Sequence, residues 1–245
     1  MNFIRPTKGV HIIIPFHKLP IPTSFVLPAQ DGRILFANKV GDFLYIGTTD
    51  TDFDTNINNV SANRKDVDYI LEKLNLLFPN SKINDSDIVS TYAGLRPLLS
   101  HKGNPSNLSR EDFIKDNDGF IMIVGGKLTT YRCMAKKVTN KIQNHLPYKR
   151  NNESLEKLSI VYFPEDDIEI QIENYLKYSM VLNLTDMMDR RLNLYRFDKR
   201  NGMQYVNIVA KQMAIFLNWN DAEVKNQIHQ YIQFIKYHRS WEKAK

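Results

Sequence analysis

Short apolar runs separated by turn residues dominate the first 55 residues of the chain. The runs that are apolar or β-branched are Val10–Pro15, Ser24–Leu27, Ile34–Ala37 and Phe43–Gly47. Runs of this length, bounded by proline, glycine and aspartate, are typical of β-strands. Asp31-Gly32 between the second and third runs is typical of a hairpin turn. The pattern therefore predicts an antiparallel meander.

Helical spacing of apolar residues begins after this region and predicts a helix from Arg64 to Leu77, which Pro79 ends. We expect a strand at Ile88–Tyr92, a polar loop over residues 100–118 and another strand at Phe120–Val124. A second helix should follow and run to about Asn144. Its predicted apolar face consists of Tyr131, Met134, Val138 and Ile142.

Residues 147–160 are polar enough to form a linker, and the pattern beyond them is helical, with three apolar stripes. Asn220 and Glu223 have the spacing of a capping box at the start of the last helix. We therefore predict an α+β fold with a mixed or antiparallel sheet in residues 1–146. A small, all-helical C-terminal domain is predicted for residues 161–245.

Composition narrows the classes of protein that fit this pattern. The apolar runs are too short to cross a bilayer. The single cysteine, Cys133, fits a reducing compartment, and its place on an amphipathic helix predicts a buried, inert thiol. The histidines show no spacing typical of metal ligands, so no metal site is expected. We therefore expect a cytoplasmic location, with a peripheral position at the inner face of the membrane left open.

The net charge of +6 raises the question of a polyanionic partner. Basic residues cluster over residues 136–150 and again over residues 190–200. No motif typical of nucleic-acid-binding folds accompanies them, so no nucleic acid is expected as a partner. A solvated helix face and a basic connector explain the charge, with an anionic membrane surface or another polyanion as alternatives.

The block Gly125-Gly126-Lys127-Leu128-Thr129, directly after Phe120–Val124, carries the clearest chemical signal. Paired glycines between a strand and a helix allow positive φ and a close approach of the backbone to a ligand. Lys127 is expected in the first turn of the following helix. The N–H groups and dipole of that helix favour a group that becomes negative, such as the pyrimidine end of a flavin. The alternative is a tight connection with a solvated lysine.

Three further blocks accompany this one, at Arg5–Pro15, Tyr45–Asp52 and Ser90–Leu98. In this order and spacing, the four blocks resemble the FAD-dependent glycerol-3-phosphate dehydrogenases, including the related glycerophosphate oxidases. The resemblance covers roughly residues 4–140 and returns more weakly at Asp186–Arg191. It implies a flavoenzyme fold like that of D-amino-acid oxidase, with FAD as the cofactor. The implied reaction oxidises sn-glycerol 3-phosphate to dihydroxyacetone phosphate by hydride transfer to flavin N5.

The resemblance also implies roles for individual residues. Arg96 aligns with the family's substrate-binding arginine, Lys127 with a lysine that contacts substrate and cofactor, and His11 with a histidine beside the substrate. These three are the predicted catalytic residues, and Thr49 is added as a substrate contact. The predicted flavin contacts are Gly125, Gly126, Lys127, Leu128 and Thr129.

Each of these assignments has a structural alternative. Arg96 could pair with a core carboxylate, His11 could be a hydrogen-bonded core histidine, and Lys127 could be solvated. Asp50, after the strand that ends near Gly47, is expected to cap a turn. Asp186 and Arg190 have the i,i+4 spacing of a structural ion pair.

None of the ten glycines forms the Gly-x-Gly-x-x-Gly turn that binds a dinucleotide pyrophosphate. We therefore expect the chain to be the C-terminal half of such an enzyme, without the Rossmann half, and to bind FAD only when a separate N-terminal half completes it. A remnant that binds no FAD and a basic interaction module remain as alternatives. A quinone, a peripheral membrane contact and a homo-oligomer are left open as further partners.

Overall fold

The computed structural model describes residues 4–29, 31–100, 112–147 and 167–243. The chain divides into two compact units. The first unit contains Met1–Gly9, Asp50–Val60 and Gly94–Ser159, and the second contains Val10–Thr49, Ser61–Ala93 and Ile160–Lys245. Strands β1 (Ile4–Pro15) and β6 (Ser90–Leu99) contribute residues to both units, and β6 pairs with β1. The domain boundaries predicted from the sequence stay a prediction.

The sheet of the second unit is antiparallel and confirms part of the predicted meander. Strands β2 (Phe25–Pro28), β3 (Ile34–Val40) and β4 (Phe43–Gly47) follow one another as hairpins. Gly32 has the positive φ, 80°, that the predicted Asp31-Gly32 turn requires. β1 lies beside β4 rather than β2, because residues 16–24 form a connection too long for a tight hairpin.

Helix α1 (Arg64–Leu77) covers one face of this sheet and has the bounds that the sequence predicts. Asn63 and Asp66 form a reciprocal capping box at its first turn. Its buried apolar residues are Val67, Ile70, Leu71 and Leu74. They belong to one apolar cluster with the inward-facing residues of the strands, which include Val10, Ile12, Leu35, Leu44 and Ile46. This burial is the main stabilising contribution that the helix makes.

The helical region of the second unit buries part of each of the three predicted apolar stripes, but Met180 and Phe216, which those stripes included, are 85% and 47% exposed. Its elements are α3 (Ile168–Tyr178), a π-helix (Asp186–Arg191), α4 (Leu194–Phe197), α5 (Val206–Leu217), α6 (Asp221–His238) and a 3₁₀ turn (Ser240–Lys243). Asp186 and Arg190 form the expected ion pair. Among the residues that the structure describes, no helix is long and apolar enough to cross a membrane.

Hydrogen bonds join this helical region to the beginning of β6. Thr91 Oγ1 donates to the carbonyl of His238 at 3.1 Å, and Arg239 Nη1 donates to the carbonyl of Val89 at 2.9 Å. Trp241, 2% exposed, belongs to the apolar cluster of the sheet. Residues 238–241 thus pack directly on the strands of the second unit.

The first unit contains a short strand and a hairpin. Strand β5 (Thr51–Asp52) pairs with β1, with Thr51 opposite Lys8. Strands β7 (Asp112–Asn117) and β8 (Phe120–Gly125) pair through a turn at Asp118-Gly119, where both residues have positive φ. The prediction of a polar loop is therefore wrong for the residues of β7. None of these residues is buried, so a polar sequence is tolerated there, and pairing with β8 makes the segment a strand. Residues 101–111 of that loop lie outside the described residues.

Helix α2 (Tyr131–Gln143) follows this hairpin and ends next to the predicted Asn144. Lys137 forms an ion pair with Asp112 at 2.8 Å, and a hydrogen bond of 2.7 Å joins His145, just after the helix, to Asp116. Polar contacts thus connect this segment to β7. None of the residues of α2 is buried. The prediction of a buried Cys133 is accordingly wrong, because the thiol lies on an exposed helix. Except for Pro147, the predicted linker lies outside the described residues.

Candidate functional site

In the first unit, Arg96 lies against the backbone of Gly9. A Cβ atom added to Gly9 would lie 2.3 Å from Arg96 Nη2 and 2.6 Å from both Cζ and Nη1. The guanidinium group therefore occupies the space that a side chain at position 9 would fill. Any side chain at position 9 would displace it, so a glycine in a strand here provides space for a close approach.

The carboxylate of Asp50 contacts the edge of the same guanidinium group. Arg96 Nη1 lies 3.3 Å from Asp50 Oδ1, and the two side chains are 22% and 7% exposed. The contact with a buried carboxylate, left open by the sequence, is therefore present. A guanidinium group has five N–H donors, so a contact with Asp50 is compatible with binding a second anion. The role of Arg96 in substrate binding stays a prediction.

In the second unit, His11 has a similar relation to a glycine. The antiparallel register places His11 opposite Gly47. A Cβ atom on Gly47 would lie 2.6 Å from His11 Cδ2 and 2.7 Å from Cγ. The imidazole ring also lies beside Tyr92, with 6.3 Å between the ring centroids. The half-buried ring is thus held against a backbone and an aromatic side chain, and its catalytic role stays a prediction.

Thr49 is buried at the end of the same strand pair. Its Oγ1 accepts a hydrogen bond from the backbone N–H of Val10 at 3.0 Å, and the residue is 1% exposed. The hydroxyl group therefore takes the place of a backbone acceptor beside β1. This hydrogen bond gives Thr49 a structural function. A contact of Thr49 with substrate stays a prediction.

The double-glycine turn after β8 has the backbone geometry that the sequence predicts. Gly125 and Gly126 have φ values of 79° and 81°. A Cβ atom on Gly126 would lie 2.3 Å from Met134 Sδ, so this glycine also lets α2 approach the turn. Lys127 is extended, with φ −133° and ψ 151°, and precedes a 3₁₀ turn at Leu128–Thr130. The prediction that Lys127 lies in the first helical turn is therefore wrong.

The side chain of Thr130 explains why the backbone stays extended at Lys127. Thr130 Oγ1 accepts a hydrogen bond from Lys127 N at 3.2 Å and donates one to Lys127 O at 3.1 Å. A second turn is thereby closed before α2 begins. The signal for it in the sequence is the hydroxyl of Thr130, which competes with helical hydrogen bonding.

The segment from Lys127 to Thr130 is exposed, with Leu128 at 88%. Two positive-φ glycines, an exposed backbone and a lysine suit a planar, partly anionic group that lies against the turn. These properties fit the isoalloxazine end of FAD, and the predicted contacts at Gly125, Gly126, Lys127, Leu128 and Thr129 stay predictions.

A second arginine–aspartate pair lies in the first unit. Arg5 Nε donates to Asp52 Oδ1 at 2.6 Å, and Arg5 Nη2 donates to Asp52 Oδ2 at 2.7 Å. The hydrogen bonds from Arg5 hold the pKa of Asp52 below its ordinary value, against a small opposing effect of burial. This pair is more exposed than Arg96 and Asp50, so it offers a natural comparison for them.

Gly9 and Gly47 are contributors that the sequence interpretation missed, although both lie in the blocks it used. A glycine inside an apolar strand was the available signal, because it often marks a close approach to the backbone. Which side chain approaches could not be deduced, since the partners lie in other strands. Asp50 was interpreted as a turn cap, while the structure places its carboxylate against Arg96.

Comparison with known proteins agrees with this fold. Residues 2–134 match the family described as FAD dependent oxidoreductase (DAO). An aerobic glycerol-3-phosphate dehydrogenase from Staphylococcus saprophyticus is 40% identical over 146 residues, which are 58% of this chain and 26% of the relative. A protein of the same name from Staphylococcus aureus is 38% identical over 146 residues, which are again 58% of this chain and 26% of the relative. The matched region thus spans about a quarter of these relatives.

A solved structure supports the fold over a longer part of the chain. The glycerol-3-phosphate dehydrogenase from Bacillus halodurans, complexed with FAD, superposes with a TM-score of 0.75 and 24% identity. The superposition covers 96% of this chain and 57% of that one. At this identity the likeness establishes the fold, an antiparallel sheet with packed helices. With the family match over more than half of its residues, the chain belongs to the FAD dependent oxidoreductase family.

Proposed function

We propose that this chain supplies the substrate-binding and flavin-facing part of an FAD-dependent glycerol-3-phosphate dehydrogenase. The observation that carries the proposal is Arg96, packed against Gly9 and in contact with Asp50, in a chain whose curated relatives bear that enzyme's name. An arginine fork can bind a tetrahedral oxyanion through parallel N–H donors, as a phosphate ester requires. A guanidinium group already restricted by contacts with Gly9 and Asp50 loses less freedom on binding.

The backbone of residues 125–129 would hold the isoalloxazine ring of FAD, which when bound supplies the hydride acceptor of the reaction. Lys127, next to this turn, contributes a positive charge where negative charge develops. Because the 245 residues contain no Gly-x-Gly-x-x-Gly turn, the proposal assigns the FAD pyrophosphate to a part of the enzyme outside these residues.

His11 is the proposed proton acceptor for the hydroxyl group at C2 of glycerol 3-phosphate. An imidazole ring with an ordinary pKa near 6.5 can accept a proton at neutral pH. The contacts of the ring with Gly47 and Tyr92 restrict its orientation. A restricted ring can present one nitrogen atom to a hydroxyl group without an entropic cost at each turnover.

Substrate-driven bleaching of flavin absorbance tests the proposal, in an assembly of the chain with a polypeptide that binds the FAD pyrophosphate. Arg96→Ala should lower the rate or the affinity by about 30- to 1,000-fold, because a charge-assisted contact to a dianion is lost. Arg190→Ala is the matched control, since Arg190 is an exposed arginine paired with Asp186. Unchanged bleaching in Arg96→Ala would contradict the assignment.

The chain by itself should bind FAD weakly or not at all. The physical reason is that most of the affinity for a dinucleotide comes from a pyrophosphate site at a helix N-terminus. Titration of the purified chain with FAD, followed by flavin fluorescence, checks this expectation. Stoichiometric FAD in the chain purified without any other polypeptide would show that the proposed division of the binding site is wrong.

A further inference from the structure

We propose that Asp50 is a positioning residue that, together with Gly9, orients the guanidinium group of Arg96. The substrate role of that guanidinium group rests on the proposed function above. The positioning itself rests on contacts within the first unit, among residues from β1, β6 and the segment before β5.

Strand register brings two of these residues to adjoining positions. β1 and β5 run antiparallel, with Thr7 opposite Asp52 and Lys8 opposite Thr51. The next position along β1 is Gly9, and the preceding residue on the other segment is Asp50. The backbone thus sets Gly9 and Asp50 side by side before any side chain is considered.

Gly9 provides the space that the Arg96 guanidinium group occupies. Three atoms of the group, Nη1, Nη2 and Cζ, lie within 2.3–2.6 Å of where a Cβ atom would be. A side chain at position 9 would therefore overlap the group and displace it. The absence of a side chain allows the group to occupy this place but does not by itself stop rotation about the Nε–Cζ bond.

Asp50 restricts the movement that Gly9 allows. Its Oδ1 lies 3.3 Å from Nη1, and its side chain is only 7% exposed, so its position is defined by packing. A charge-assisted hydrogen bond to one edge of the group directs the remaining N–H bonds to other directions in the same plane. The combined effect is a fork with a defined direction, which is what two-pronged recognition of a phosphate needs.

If Asp50 served only to neutralise the charge of Arg96, the expected effect of its removal on anion affinity would be the opposite. If the carboxylate only neutralised the charge of Arg96, removing it would strengthen the binding of any anion, because a positive charge would lose its counterion. Positioning predicts weaker binding instead. The amide in Asp50→Asn keeps an acceptor oxygen in the same place but has no charge, so this variant separates the two effects.

The first measurement follows Arg96 itself by NMR in the full chain, with its signal assigned from Arg96→Lys. Rotation about the Nε–Cζ bond should be slow in the wild type and in Asp50→Asn, and fast in Asp50→Ala. Gly9→Ala should shift the signal, because the added methyl group displaces the guanidinium group. Asp52→Ala, which removes the carboxylate from Arg5 instead, is the control and should leave Arg96 unchanged. Slow rotation of Arg96 in Asp50→Ala overturns the proposal.

The second measurement titrates the same proteins with glycerol 3-phosphate, inorganic phosphate and uncharged glycerol. Asp50→Ala should raise the dissociation constant for the two anions about tenfold, the usual range for a charge-assisted contact, while Asp50→Asn stays within about threefold. Tighter anion binding by Asp50→Ala overturns positioning in favour of charge neutralisation. If the Arg96 signal responds to neither anion in the wild type, the proposed substrate role fails, and the rotation data still decide the positioning.

Discussion

Helices α1 and α2 have similar amphipathic sequences but different surroundings. α1 buries Asp66, Val67, Ile70, Leu71 and Leu74, whereas α2, one residue shorter, buries none of its residues. α1 packs on the sheet of the second unit, whereas the Lys137–Asp112 ion pair joins α2 to a two-stranded hairpin of the first unit. On α2, Tyr131 is 65% exposed although it belongs to the apolar stripe.

The difference between the two helices shows which information about burial helical periodicity gives and which it does not. A stripe of apolar residues identifies the side of a helix that benefits from burial. It does not identify the surface that covers this side, because that surface comes from elsewhere in the sequence or from another molecule. The same pattern should therefore correspond to a large stabilising contribution in α1 and a small one in α2.

The largest expected effect is that of Ile70→Ala on α1. Ile70 is fully buried, so the truncation leaves a cavity and should lower the free energy of unfolding by about 2–5 kcal/mol. Ile142→Ala on α2 is the matched control, since Ile142 is 39% exposed, and should cost less than about 1 kcal/mol. Urea unfolding followed by circular dichroism measures both. Equal losses would remove the distinction between the helices.

A smaller effect is expected at the N-terminus of α1. Asn63 accepts a hydrogen bond from Asp66 N at 3.0 Å, and Asp66 accepts one from Asn63 N at 2.9 Å. Asn63→Ala removes the first bond and should cost about 1 kcal/mol in the same assay. Thr139→Ala on α2, where the hydroxyl donates to the carbonyl of Ala135, should be close to neutral. A neutral Asn63→Ala would mean that packing alone maintains α1.

Near neutral pH, the packed second unit should contribute to the pH dependence of stability through His238. Burial lowers the pKa of His238, against a smaller opposing effect of Asp189. The unfolded chain therefore binds a proton more readily than the folded one, and stability should fall as the pH falls below about 6.5. Denaturant midpoints at a series of pH values should show a flatter profile for His238→Phe. An identical profile would assign the dependence to other groups.

The smallest effect on stability is expected at the exposed face of α2. Tyr131→Ser and Ile142→Ser should change the free energy of unfolding by no more than about 0.5–1 kcal/mol, because little surface is buried there. They should instead reduce self-association at high concentration, since exposed apolar surface promotes it. Sedimentation velocity measures this. Unchanged self-association in both variants would show that this face is not involved.

Local patterns in the sequence were sufficient for much of the fold. The bounds of α1, the Asp31-Gly32 turn and the positive φ at Gly125 and Gly126 depend on neighbouring residues, and the structure confirms them. β7 was missed because its stability comes from pairing with β8 rather than from its own side chains. The exposure of Cys133 was missed because burial is set by the surroundings of α2.

In the candidate site, too, features that depend on neighbouring residues were predictable, and contacts with distant residues were not. The residue types at positions 11, 96 and 127 could be selected from motifs, but their partners could not. Gly9 under Arg96 and Gly47 under His11 are contacts between different strands, so a single sequence does not reveal them. The conformation of Lys127 depends on the hydroxyl of Thr130, three residues away, in competition with helix formation.

Trp241 has a consequence for the order of events on the ribosome. Its indole ring completes the apolar cluster of the early strands, and Arg239 nearby bonds to Val89 across 150 residues of sequence. At a synthesis rate of about 5–20 residues per second, the strands leave the ribosome roughly ten seconds or more before this tryptophan. During that interval the nascent sheet lacks part of its own interior. Chaperone engagement and the risk of early misfolding should therefore be concentrated in this interval.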